Sequence, residues 1–145
     1  MNRAEEIINY AMGIREFLHT NDPYKIAAYY GIQVKERVGS IGSRPAYTNK
    51  TDGYPTIICI MSNYTAKSKK ILCAHELGHA LLHSDGYNTF DVTRRNKDSS
   101  VEYEANVFAL ALLSGEKALS QIKDMSPYAV KMCLDRRIVR EDGCN

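Results

Sequence analysis

The sequence predicts an α+β fold, with a small β-sheet packed against one central helix and a mainly helical remainder. Three observations carry this. The run Thr56-Ile-Ile-Cys-Ile-Met61 is short, apolar, rich in β-branched residues and bounded by turn formers, so it reads as a strand. An apolar stripe at helical spacing follows at once, through Ile71, Ala74, Leu77, Gly78 and Leu81. Helical periodicity then dominates both ends of the chain. With 145 residues there is material for one core and none for a second substantial module. A single domain over 1–145 is expected, with a helical part at 1–30, the sheet and site-bearing helices at 31–113, and a helical part at 114–145.

From the N-terminus, Ile7, Ile8, Ala11, Met12, Ile14, Phe17 and Leu18 place a helix over residues 3–18, with Gly13 as its weak point. Asn21-Asp22-Pro23 stops that helix and caps the next, which turns Ile26, Ala27 and Tyr30 inward and ends at Gly31. Residues 32–38 alternate as a half-buried strand does. Residues 39–55 are rich in turn formers, with a short strand around Ala46 to Thr48. Asn63 or Thr65 caps the central helix, and Ser84-Asp85-Gly86 ends it. Residues 84–98 read as a polar loop. Asp98 or Ser99 opens a helix with the stripe Val101, Ala105, Phe108, Ala109 and Leu112, closed by Gly115. A last helical pattern, with Pro127 at its start, runs from Ser126 to Arg137.

Composition narrows the class. Hydrophobic and charged fractions of 44% and 25% are those of a soluble globular protein, and a net charge of +2 is too mild for a nucleic-acid surface. No apolar run is long enough to span a membrane, and the start Met1-Asn-Arg-Ala-Glu-Glu lacks the pattern of a secretory signal. Cys59, Cys73, Cys133 and Cys144 show no CxxC spacing. These features predict a cytoplasmic protein without direct nucleic-acid or membrane binding; oligomeric state is left open.

The chemistry sits in Cys73-Ala-His-Glu-Leu-Gly-His-Ala-Leu-Leu-His83, which reads HExxH from His75 to His79. On a helix, side chains four apart share a face, so both imidazoles reach one ion from the same side. Glu76, one step round, takes the general-base position beside that ion. With four His and nine Glu, a shuffled chain would carry this motif about 0.007 times, so chance is a poor explanation. The expected cofactor is Zn2+.

Catalytic zinc takes three protein ligands. Leu82 and Asp85 stand where a metzincin needs glycine and histidine, which excludes that arrangement. A gluzincin arrangement draws a Glu from a later helix, and Ser99-Ser-Val-Glu-Tyr-Glu-Ala-Asn106 supplies two. Glu102 is the first choice, because Asn106 lies one turn on and can orient a ligand histidine. Glu104 points about 160° away around the helix. A competing role for Glu102 is a capping box with Ser99. His83, one turn past His79, suits a supporting or structural role better than ligation, and Cys73 suits core packing.

The chain resembles the ImmA/IrrE family of zinc-dependent metallopeptidases. The likeness rests on Ala74 to His83, on Glu102-Tyr-Glu-Ala-Asn-Val-Phe-Ala109 followed by Leu112-Leu113, and on the strand Ile57 to Met61 with Asn63. It implies that His75, His79 and Glu102 bind zinc and that Glu76 is the catalytic base, in a zincin-like, gluzincin-type fold. It also implies a protein substrate, a helix-turn-helix transcriptional repressor of a phage or mobile element, whose cleavage derepresses its genes. Ser114-Gly115 departs from the family's Met-Pro and affects the local turn.

An endopeptidase of this kind needs an oxyanion donor, for which Arg94, Arg95, Tyr87 and Tyr103 are candidates. It also needs an extended substrate, which a sheet edge near residues 54–61 would accept. Two other readings are a non-catalytic metal-binding regulatory module that acts by binding a repressor, and an amide hydrolase with another substrate. Intact Glu76 argues against the first, since a binder has no use for a base there.

Overall fold

The computed structural model describes residues 2–40, 42–83 and 99–141. In chain order its elements are α1 (Arg3–Leu18), α2 (Pro23–Tyr29), β1 (Gln33–Arg37), β2 (Ala46–Asn49), β3 (Ile57–Met61), α3 (Ala66–Leu82), α4 (Ser99–Leu113), α5 (Glu116–Ile122) and α6 (Pro127–Asp135). This is the mixed α+β class that the sequence predicts.

Helix α1 starts on a capping box: Asn2 Oδ1 accepts from the Glu5 amide at 2.8 Å, and the Asn2 amide donates to Glu5 Oε1 at 3.3 Å. Its buried face, Ala4, Ile7, Ile8, Ala11 and Ile14, belongs to the main core, and the helix packs along α4. Two arginines tie the pair. Arg3 meets Glu104 near the start of α4, and Arg15 Nη1 donates to the carbonyls of Ala111 and Ser114 at its end, at 3.3 and 2.6 Å. Gly13 does not interrupt the helix.

Helix α2 opens on Asp22, whose Oδ1 accepts from the Tyr24 amide at 2.9 Å, with Pro23 in its first turn. Ile26 and Ala27 are buried as expected, but Tyr30 is 41% exposed. It caps the helix rather than completing its inner face, and the chain turns away through Gly31 at φ +74°.

The sheet has the order β1-β3-β2, with β1 parallel and β2 antiparallel to β3. Register runs from Gln33 opposite Ile57 to Arg37 opposite Met61, and from Ala46 opposite Ile60 to Asn49 opposite Ile57. β3 is therefore central, and Ile58 and Ile60 are fully buried. This corrects the expectation that a substrate strand pairs near residues 54–61: the hydrogen-bonding groups of β3 are already taken on both sides. β1 is more exposed than a half-buried strand, with Val34 alone partly covered.

Helix α3 lies on β2 and β3 with one side and on α4 with the other. The approach to α4 is close because residue 78 is glycine. A Cβ there would stand 3.1 Å from the Ala105 Cα and 3.2 Å from both the Ala105 carbonyl oxygen and the Phe108 Cβ. Ala105, Val107, Phe108, Ala109, Ala111 and Leu112 on α4 are all fully buried between its neighbours. Helix α6 closes the core with Val130 and Leu134, capped by Ser126 Oγ accepting from the Ala129 amide at 3.1 Å. The chain after it returns to α3, where Ser68 Oγ donates to the Arg137 carbonyl and accepts from the Val139 amide. Helix α5 was not foreseen from the sequence: it spans 7 residues and has no side-chain cap.

Candidate metal centre

The site grows from the start of α3, where Thr65 Oγ1 accepts from the Ser68 amide at 3.2 Å. From there the helix runs unbroken through His75, Glu76 and His79 to Leu82, so the two imidazoles stand one turn apart. Their Nε2 atoms face each other at 3.2 Å. Helix α4 brings Glu102 over both: Oε1 lies 3.3 Å from His75 Nε2, and Oε2 lies 2.8 Å from His79 Nε2. The donor atoms of these three residues all fall within 4.8 Å of one another.

These spacings fit a metal ion. Tetrahedral donors at about 2.0–2.1 Å from zinc stand about 3.3 Å apart. The 3.2 Å between the two imidazole nitrogens matches that figure, and the Glu102 carboxylate reaches both of them, with Oε1 3.3 Å from His75 and Oε2 2.8 Å from His79. Two imidazole nitrogens and a carboxylate are also a common donor set for catalytic zinc. His79 is buried, whereas the Glu102 side chain is 54% exposed, so the cluster opens toward solvent on the Glu102 side.

The charges are mutually adjusted. Burial resists protonation of His75, but the hydrogen bond to Glu102 and the charges of Glu76 and Glu102 outweigh it and raise its pKa. Burial likewise opposes ionisation of Glu102, yet hydrogen bonds to His75 and His79 hold its carboxyl far below the usual carboxylate range. Asn106, buried one turn beyond Glu102, hydrogen-bonds His75.

Glu76 occupies the space next to this cluster, with Oε2 3.9 Å from His75 Nε2. Its other oxygen, Oε1, accepts a 2.7 Å hydrogen bond from the Thr48 hydroxyl, and Thr48 is 1% exposed on β2. Thr48 was not singled out from the sequence as a site residue, although the strand expected around Ala46 to Thr48 contained it. The available signal was alternation: β2 turns Ala46 and Thr48 inward, and a buried polar residue on a strand needs a partner. Lys50 follows on the same segment, and its ammonium donates to the carbonyls of His79 and His83, complementing the C-terminal end of α3.

Beyond the cluster, Glu104 points away from Glu102, as the helix geometry requires. It accepts from Arg3 Nε at 3.0 Å and Nη2 at 3.1 Å and stands 3.0 Å from His83 Nε2. These bonds outweigh partial burial and lower the Glu104 pKa, while burial lowers that of His83. Cys73 is fully buried in the core. Among the possible oxyanion donors, Tyr103 packs against the core, and Tyr87, Arg94 and Arg95 lie outside the described residues, as does Cys144.

A sequence profile of peptidase family M78, described as the IrrE N-terminal-like domain, matches residues 27–131. The chain belongs to this family. Peptidase M78 membership covers α3, α4 and the sheet together, so every residue of the cluster lies inside the matched region. Over 107 residues, 72% of this chain, it is 35% identical to the uncharacterized immunity region protein 2 of Bacillus phage phi105, covering 66% of that protein. Over 105 residues, 70% of this chain, it is 30% identical to metallopeptidase ImmA of Bacillus subtilis strain 168, covering 59% of it. The chain thus spans 59% to 66% of the length of these two curated relatives. No solved structure matches it. Among the described residues, no helix is long and apolar enough to cross a membrane.

Proposed function

We propose that this member of peptidase family M78 is a zinc-dependent endopeptidase, with His75, His79 and Glu102 as the zinc ligands and Glu76 as the general base. The observation that carries the reading is the convergence of two imidazole nitrogens and a carboxylate at ligand spacing, with a second carboxylate beside them. The domain reading is a single metallopeptidase domain over residues 1–145, zincin-like and of gluzincin type.

Zinc held there supplies Lewis-acid polarisation of the scissile carbonyl and acidifies water. The chain's own residues do the rest. Glu76 Oε1 is fixed by Thr48, which leaves Oε2 turned to the cluster to take a proton from water and return it to the leaving amine. Asn106 holds His75 from α4. Because β3 is paired on both sides, an extended substrate joins the sheet along the outer edge of β2, the strand that carries Thr48, which pairs only with β3 among the described residues.

The substrate in this reading is a transcriptional repressor of the helix-turn-helix kind, and cleavage relieves repression of phage or mobile-element genes. The name of the phage phi105 relative, an immunity region protein, and that of metallopeptidase ImmA support it. A cytoplasmic setting agrees with the free thiols of Cys59, Cys73 and Cys133.

The test combines elemental analysis with cleavage. The purified protein is expected to hold about one zinc per chain, lost in His79→Ala and Glu102→Ala and kept in Glu104→Ala. Zinc-loaded protein is then incubated with a purified helix-turn-helix repressor encoded beside its gene, and a defined cut that vanishes with a chelator and in Glu76→Gln is expected. Derepression in cells by Glu76→Gln would instead favour action by binding alone. Failure to take up zinc would remove the peptidase reading.

A further inference from the structure

His75 and His79 each turn one side of the ring to Glu102. The other side of His79 is held by an uninterrupted line of contacts that ends on the N-terminal helix. His79 Nδ1 lies 3.3 Å from His83 Nδ1, His83 Nε2 lies 3.0 Å from Glu104 Oε1, and Glu104 is gripped by Arg3 through both oxygens. The side chains are sheltered to different degrees: His79 is 4% exposed, His83 13%, Glu104 19% and Arg3 51%.

The geometry points to His83 and Glu104 as positioning residues that fix the orientation and proton placement of the His79 ring. The direction of the line follows from Glu104. An ionised carboxylate only accepts hydrogen bonds, so His83 must carry its proton on Nε2 to donate to it. A neutral His83 then has a lone pair on Nδ1, which accepts from His79 Nδ1–H. The proton of His79 is thereby held on Nδ1, and its Nε2 presents a lone pair to the shared space with His75 and Glu102. Arg3 donates to both oxygens of Glu104 and holds the carboxylate in place, although its own half-exposed side chain makes that contribution modest.

Glu102 and Glu104 thus serve His79 from opposite sides. The inference deepens the proposed zinc site and rests on it only for the consequence in metal affinity. The proton position on His83 is a property of the chain with or without metal.

The experiment is a long-range 15N–1H correlation spectrum of the histidine rings at neutral to mildly alkaline pH, on metal-free and on zinc-loaded protein. It is paired with zinc affinity measured against a competing chelator for wild type, His83→Ala, Glu104→Ala and Glu104→Gln. His83 is expected as the Nε2–H form in both states. Zinc affinity should fall about 10- to 100-fold in His83→Ala and Glu104→Ala. Glu104→Gln should recover part of the loss, since its amide oxygen still accepts from His83. A proton on Nδ1 of His83 in the wild-type protein would overturn the inference whatever the variants do. Wild-type zinc affinity in folded His83→Ala and Glu104→Ala would overturn it as well. Zinc uptake by the wild-type protein decides the peptidase reading separately.

Discussion

The two walls of the site are built differently. On one side, α4 faces α3 at glycine-limited distance and contributes Glu102 from its exposed first turn and Asn106 from its buried stretch. On the other, the edge strand β2 contributes Thr48, whose hydroxyl lies 2.7 Å from Glu76 Oε1 and 3.2 Å from the Glu76 carbonyl oxygen. In the proposed reading, the helical wall fixes the metal donors and the sheet wall fixes the base. Metal binding and proton transfer therefore depend on different contacts and should be separable by substitution.

The sharpest break of this comparison pairs Glu102→Ala with Glu76→Gln. The first removes a donor and should abolish near-stoichiometric zinc, read by elemental analysis. The second should keep the zinc and lower cleavage about 10²- to 10⁴-fold. Equal zinc loss in both would merge the two walls into one.

A smaller effect is expected at Thr48. Thr48→Val keeps the shape of the side chain and removes a hydrogen bond to a charged group, about 1.5–3 kcal/mol. Cleavage should fall about 10- to 150-fold with zinc retained, and Thr48→Ser should restore most of it. Loss of zinc from Thr48→Val would show that the sheet wall also holds the metal.

Gly78→Ala tests the helical wall. Its new methyl meets the backbone of Ala105, so α3 and α4 must part by a few tenths of an ångström. A destabilisation of about 1–3 kcal/mol is expected from denaturant unfolding, with weaker zinc binding. Unchanged stability and affinity would mean that the helices are not at their limiting distance.

The smallest effect is on alkaline stability. Burial, with the nearby charges of Asp22 and Glu76, pushes the Cys73 thiol from near 9 up to about 12. The folded pKa lies above the unfolded one, so this contribution is complete below about pH 9 and is lost as pH rises toward 12. Tyr24, raised by burial from 10 to about 12, acts in the same direction. Thermal unfolding across that range should show a shallower decline for Cys73→Ala than for wild type.

Much of this was legible in the sequence where local rules govern. Helix α1, the cap Asp22, the choice of Asn63 or Thr65 as cap of α3, and the strand before α3 follow from periodicity and turn chemistry, and the structure selects Thr65. HExxH spacing places His75 and His79 on one face, and about 160° around the helix separates Glu102 from Glu104. What sequence order does not encode is which strand lies in the middle. β3 precedes α3 and is apolar, and nothing local says that β1 pairs with it in parallel while β2 takes its other side. Thr48 and Lys50 were missed for the same reason, since their partners lie 28 to 33 residues away. Tyr30 leaves the inward stripe because it is the C-cap of α2, where helical periodicity no longer sets the direction of the side chain.

Helix α1 has a consequence for where this protein can be cut. The region shared with the family begins at residue 27, so the whole of α1 lies upstream of it. Yet α1 covers α4 along its length, clasped by Arg3 near one end and Arg15 at the other. The boundary of ancestral likeness and the boundary of the cooperative folding unit do not coincide in this chain. A fragment trimmed to residues 27–131 would bare the α4 flank that Ile7, Ala11 and Ile14 now cover, and would be a poor surrogate for the intact polypeptide.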